Sequence, residues 1–150
     1  MESVLEKIEE LINKYGTNCP FKIAKHLDIE IVYEDLGKVF GYFNQFCRVK
    51  IIHINEKATD YQKMFICAHE LGHAIFHPDA NTPFLKRNTL FSTDRIEVEA
   101  NLFAVHLLFS EHFFNDQLSL RDAVELYGIP EEFILKQFER RIIYGNLSQI

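Results

Sequence analysis

Residues 55–76 read NEKATDYQKMFICAHELGHAIF, and within them His69-Glu70-Leu71-Gly72-His73 spells HExxH. Thr59 followed by Gln62 has the spacing of a capping box, which opens a helix. Met64, Ala68, Leu71 and Ile75 recur at helical intervals and predict its buried face. Residues four apart on a helix stand one above the other, so His69 and His73 direct both imidazoles at one metal ion. Zinc suits such a set: it binds neutral imidazole and carboxylate tetrahedrally, with one position left for water. Glu70 adjoins the first histidine and is placed to take a proton from that water and pass it to a leaving amine. Gly72 stands between the two histidines, where a larger side chain would crowd the metal or a packed neighbour. The competing reading is a helix with two surface histidines.

A zinc peptidase needs a third ligand. His77 is nearest, but Pro78 follows it, and the residue before a proline is pushed out of the α region; His77 therefore ends the helix. The longer HExxHxxGxxH pattern is absent, since Phe76 and Asp79 occupy the required places. A better candidate lies in Asp94–Ser110, DRIEVEANLFAVHLLFS, which reads as a second buried helix. Glu97 and Asn101 fall in line with Ala100, Ala104 and Leu108 on its core-facing stripe. A carboxylate there is costly to bury unless a metal or partner compensates it. Glu99 projects to nearly the opposite side and is more easily solvated. Glu97 is therefore favoured over Glu99 as the ligand. Asn101 is then expected to hydrogen-bond a ligand histidine and fix its tautomer.

AHELGHAIFH followed by IEVEANLFAVHLL resembles the ImmA/IrrE family of metallo-endopeptidases, gluzincin-like enzymes with HExxH and a downstream glutamate in an E-x-x-A-N-x-F-A-x-x-L-L stretch. Glu97, Ala100, Asn101, Phe103, Ala104, Leu107 and Leu108 fill every position of that stretch. PFKIAKHLDIEIVYEDLG, HINEKA and the NTPF that follows HPDA are similar to the family as well, the last to members from Gram-positive bacteria and their phages. The likeness covers residues 1 to about 110 closely and the last 40 loosely. Members often carry a proline soon after the LL pair, whereas Phe109-Ser110 stands here. The resemblance implies a zincin-like α+β fold and a zinc-dependent endopeptidase. It also implies a substrate among helix-turn-helix repressors of phages or mobile elements, which family members cleave or cause to be lost.

The rest of the chain is consistent with one cytoplasmic enzyme domain of 150 residues, long enough to bury a real core. A hydrophobic fraction of 47% with 14 Phe supports a packed globule rather than disorder. Cys19, Cys47 and Cys67 are too few and scattered for a disulfide framework, which points to a reducing compartment. The N-terminus MESVLEKIEELINKYG has no apolar signal core, and no stretch approaches 18 apolar residues. A net charge of −6 argues against non-specific binding of nucleic acid. Val4, Leu5, Ile8, Leu11 and Ile12 mark a first helix ending at Gly16, and Pro20 opens a second through Leu27. Ile29–Tyr33, Val39–Phe43 and Cys47–Ile54 read as consecutive strands, expected to pair antiparallel. Val49–Ile54 is the expected edge for taking an extended substrate as an added strand. Pro78–Thr93 is a polar loop that either flanks the cleft or simply connects. About 1–110 reads as the catalytic core and about 111–150 as a helical C-terminal extension.

Ser119–Tyr127, Gly128-Ile129-Pro130 and Glu131–Ile143 have the layout of two helices around a tight turn, as in helix-turn-helix modules. A DNA-reading helix presents basic and amide groups, yet the second helix here begins Glu131-Glu132. Core packing or partner docking is preferred, and direct contact with nucleic acid is not expected. Two function classes stand: a zinc endopeptidase, and a non-hydrolytic regulator using the same fold to bind a repressor or DNA. The intact acid/base Glu70 favours the first. His106, Tyr42 and Tyr61 are unranked candidates for stabilising an oxyanion.

Overall fold

A computed structural model describes residues 3–85, 89–109 and 120–147, with side chains of the last helix described as far as Glu139. The elements in order are α1 Val4–Tyr15, α2 Pro20–His26, β1 Ile29–Glu34, β2 Gly41–Phe46, β3 Val49–Asn55, α3 Asp60–Phe76, α4 Arg95–Leu108, α5 Leu120–Tyr127 and α6 Glu131–Leu147. The expected α+β class is therefore seen. The starts of α1 and α3 are chemically specified. At the head of α1 the side chains of Ser3 and Glu6 each accept from the other's backbone N–H, and those of Thr59 and Gln62 do so at the head of α3. Gly16 ends α1 in the left-handed conformation, donating its N–H to the Ile12 carbonyl.

The sheet differs from expectation. Its order is β1-β3-β2; β1 runs parallel to β3 and β2 antiparallel to it. The sheet is mixed, and β3, the expected edge, is its centre. The β2–β3 link explains half of this: Cys47 and Arg48 both have positive φ, the geometry of a two-residue hairpin turn whose twist matches the strands. The other half is long-range. Chain that leaves β1 passes over β3's position, forms β2, and returns to lie between the two. On the outer face His53 of β3 bonds Glu34 of β1 at 2.6 Å and Asn44 of β2 at 2.9 Å, joining all three strands through one ring. Tyr42 stacks on that ring.

The inner face carries Phe43, Ile52 and Ile54, all buried, onto α3. Helix α3 also packs against α2, α4 and α5, so every residue from Phe65 to Ala74 is buried. The expected stripe was too narrow: Ala68 and Leu71 are buried, while Met64 and Ile75 are only half-buried. Helices α5 and α6 join the same core through Ala123, Ile129, Phe133 and Ile134, and His106 of α4 meets the Gln137 carbonyl at 3.1 Å. Core packing thus accounts for the first half of α6. Among the described residues no helix is long and apolar enough to cross a membrane.

Candidate metal centre

Two helices build the site, and glycine sets their distance. A Cβ on Gly72 would lie 3.2–3.3 Å from Phe103 and from the Ala100 Cα, so α3 and α4 approach backbone to side chain there. Of the two neighbours foreseen for Gly72, the packed helix is the one that needs the space. This close crossing brings Glu97, near the start of α4, over His69 and His73 on α3. Glu97 Oε1 lies 2.9 Å from His73 Nε2, Glu97 Oε2 lies 3.4 Å from His69 Nε2, and the two Nε2 atoms are 3.1 Å apart. Donors held about 2.0–2.2 Å from a tetrahedral ion stand roughly 3.3–3.5 Å from one another, so these separations are those of a slightly contracted ligand set. Among the described residues this is the one group of three or more His, Cys, Asp or Glu side chains close enough to share an ion.

The electrostatics agree with the geometry. Burial holds the His69 imidazole down at about 4, against the opposing pull of Glu97. Burial alone would raise the Glu97 carboxyl, but hydrogen bonds and charge from His69 and His73 outweigh it and draw it well below the ordinary carboxylate range. Neutral imidazole beside ionised carboxylate is the protonation state a divalent cation requires. Glu70 is wholly buried, and neither of its oxygens has a hydrogen-bond partner. Burial pushes its carboxyl well up, and the nearby Glu97 charge adds to this. An orphaned carboxylate costs several kcal/mol by order of magnitude, and its position beside the converging histidines fits a group that works on a water and a cation.

Around this set the structure supplies partners that sequence reasoning partly missed. Asn101 donates from Nδ2 to the Thr89 carbonyl at 3.0 Å. Its Oδ1 and His69 Nδ1 are both buried outside formal hydrogen-bond geometry, yet Asn101 is near enough to favour the protonated His69 ring. Thr82 donates from Oγ1 to Glu97 Oε1 at 2.9 Å. Phe84 sets its ring edge-on against His69 and pairs its backbone with Gly41 of β2. Thr82 and Phe84 belong to NTPF, so the loop read as a possible plain connection contributes directly to the site. The only sequence signal for them was that tetrapeptide's likeness to the family.

His77 caps α3, as expected from Pro78, and its ring lies against His73 rather than in the Glu97 group. Burial lowers its pKa, opposed by Glu99. Glu99 was expected to be solvated; instead it accepts from His77 and from Arg95. Of the three oxyanion candidates, His106 is bonded to the Gln137 carbonyl of α6, the Tyr42 ring stacks on His53 and the Tyr61 ring lies edge-on to Tyr127. Gly41 is nearer the chemistry. A Cβ there would be 2.6 Å from Ile66 Cγ2 and 2.7 Å from the His53 carbonyl, with Glu70 Cγ at 3.8 Å. Beyond it, a polar cleft of about 360 Å³ opens between the β2–β3 hairpin and the segment after α3, lined by Asn44, Gln45, Arg48 and Asn81 among others.

A sheet laid on an HExxH helix, with a glutamate supplied by a second helix, defines the metallopeptidase class. The family model of the IrrE N-terminal-like domain, peptidase M78, matches residues 24–139, and the chain belongs to that family. The match continues well past residue 110 into α6. The chain is 31% identical to Metallopeptidase ImmA of Bacillus subtilis (strain 168) over 151 aligned positions, 99% of this chain and 86% of that protein. It is 40% identical over 130 residues to the uncharacterized immunity region protein 2 of Bacillus phage phi105, covering 83% of this chain and 82% of that one.

Proposed function

We propose that this metallopeptidase is a zinc-dependent, cytoplasmic endopeptidase that cuts a regulatory protein, a helix-turn-helix repressor of a phage or mobile element. In this reading His69, His73 and Glu97 hold the ion, Glu70 is the acid/base, and Asn101 steadies the His69 ring. Bound zinc would lower the pKa of a water and polarise the scissile carbonyl. Glu70 takes a proton from water and delivers it to the leaving amine. Thr82 keeps the Glu97 carboxylate turned towards the histidines. Phe84 and the surrounding core exclude bulk water from the His69 side.

The observation that carries this reading is the buried Glu70, with both oxygens unpartnered beside the converging His69, His73 and Glu97. A module that only bound a repressor would have no use for so costly a carboxylate. The edge for an added strand moves from β3, which is paired on both sides, to β2 beyond Gly41, whose own backbone is already bridged to Phe84. Extended backbone fits such an edge and folded helix does not, so the cut falls in a linker of the substrate. The repressor rests on the family resemblance; the immunity-region name of the phage relative supports a role in phage regulation.

Co-expression with a helix-turn-helix repressor taken from the genes flanking this one, followed by mass spectrometry, tests the proposal. Discrete fragments are expected with wild type and none with Glu70→Gln. Equal fragments from both would assign the cut to another protease. Loss of operator binding without fragments would support the non-hydrolytic regulator instead.

A further inference from the structure

His77 and Glu99, the two groups set aside as ligands, lie in one continuous chain behind His73. His73 Nδ1 is 3.1 Å from His77 Nδ1, His77 Nε2 is 3.2 Å from Glu99 Oε2, and Arg95 Nε donates to Glu99 Oε1 at 2.8 Å. The His77 side chain is 10% exposed and that of Glu99 27%. The backbone makes this contact reproducible. His77 occupies the C-cap at φ −133° and ψ 57°, donates its N–H to the His73 carbonyl at 2.7 Å, and is followed by Pro78. It cannot continue the helix, and its ring closes over the last turn instead.

We propose that His77 and Glu99 form a positioning relay that fixes His73 in the tautomer able to bind metal. With a cation, in place of a proton, between His73 Nε2 and the Glu97 carboxylate, the hydrogen inventory runs one way. A carboxylate only accepts, so the hydrogen in the His77–Glu99 bond sits on His77 Nε2. In a neutral ring His77 Nδ1 is then an acceptor. The hydrogen between the two Nδ1 atoms therefore belongs to His73, and His73 Nε2 is left with its lone pair facing His69 and Glu97. Arg95 holds the far end of the Glu99 carboxylate. The arrangement gives His73 an outer partner in His77, while Asn101 stands near the His69 ring outside hydrogen-bond geometry. Outer partners of this kind raise ligand basicity and hold ring orientation, and losing one typically costs roughly 10–100-fold in metal affinity.

This inference rests on the metal site proposed above, and one zinc titration separates the two. Zinc affinity is measured by competition with a chromophoric chelator for wild type, His73→Ala, His77→Phe, His77→Gln and Glu99→Gln, with the melting temperature of each metal-free protein recorded alongside. The relay predicts a roughly 10–100-fold weaker affinity for His77→Phe and a smaller loss for Glu99→Gln. Both keep a stoichiometry of one zinc. His77→Gln, whose amide accepts and donates at once, recovers part of the loss. A merely structural role would move the metal-free melting temperature and not show this ordering. Affinities for His77→Phe and Glu99→Gln within about threefold of wild type overturn the relay while leaving the metal site intact. A loss in His77→Phe equal to that in His73→Ala also overturns it, by making His77 a ligand. Wild type that takes up no zinc defeats the proposed function itself. Should His77→Phe not fold, Glu99→Gln, a change at a partly exposed side chain, decides the same question by its own affinity.

Discussion

Glu70 shows what a single residue in this site is asked to do. Folding removes its carboxylate from water and gives neither oxygen a partner. Replacing it by glutamine keeps the shape and removes the charge. Glu70→Gln is expected to retain zinc and to lower peptide hydrolysis roughly 10²–10⁴-fold. The same change is expected to raise the melting temperature of the metal-free protein at neutral pH, since burial raises the Glu70 pKa and folding must then protonate a carboxylate that is ionised in the unfolded chain, a cost glutamine does not carry. Metal-free wild type melting as high as the variant would show that the folded carboxylate finds a partner after all. Thr82 acts more gently. Thr82→Val keeps volume and removes the hydroxyl bonded to Glu97 Oε1, so zinc affinity is expected to fall about tenfold with little change in fold; unchanged affinity would reduce Thr82 to a packing residue. Glu70, His69, His73 and Glu97 were legible in the sequence because helical spacing is local arithmetic. Thr82 was not, because its partner is fifteen residues away across a loop with no periodicity.

Between elements, the contacts that matter are those that leave no room. Gly72 lets α4 lie on α3, and Gly41 lets β2 lie on Ile66 beside Glu70. At Gly72 a methyl group would gain about 1 kcal/mol of helix propensity but would press on the Ala100 backbone as well as the Phe103 ring. The steric term wins. Gly72→Ala is expected to destabilise by about 1–3 kcal/mol and, by lifting α4, to weaken zinc binding together with stability. At Gly41 the obstruction includes the His53 carbonyl, which cannot swing aside, so Gly41→Ala is expected to cost about 3 kcal/mol or more. Urea unfolding of both variants tests the order; Gly41→Ala the milder of the two would refute the packing argument. Helices were largely readable at this scale from caps and periodicity, down to the Thr59–Gln62 box. The sheet was not. Neighbouring strands usually pair, which led to an antiparallel meander, but Ile29–Glu34 instead pairs in parallel with Val49–Asn55. No local pattern in either strand marks that choice, since its contacts are long-range, as in the bond between Glu34 and His53 across nineteen positions.

For the whole molecule the question is whether the ion holds the fold together or only equips it. Small zinc modules unfold without metal because they lack a core. Here the core is independent of the site: Ile8, Leu11 and Ile23 seal α1 and α2 onto α3 and α4, and Phe133 and Ile134 close the far end. The site sits along one flank of the α3–α4 contact, and Phe103, Ala104 and Leu107 continue that contact beyond it. Chelation is therefore expected to leave the helical circular-dichroism signal in place. Stability still responds to metal by mass action: free zinc at about 100 times its dissociation constant adds about 2.7 kcal/mol. For a domain of this size that is roughly 5–11 °C in melting temperature. Glu97→Ala, which removes one candidate ligand, is expected to melt near the chelated wild type and to gain little from added zinc. Glu99→Ala is expected to keep most of the gain, because Glu99 reaches the site only through His77. A chelated protein that loses its helical signal would make the ion part of the fold. A Glu99→Ala protein that no longer responds to zinc, beside a Glu97→Ala protein that does, would move the third ligand to the outer carboxylate and undo the assignment on which the catalytic reading stands.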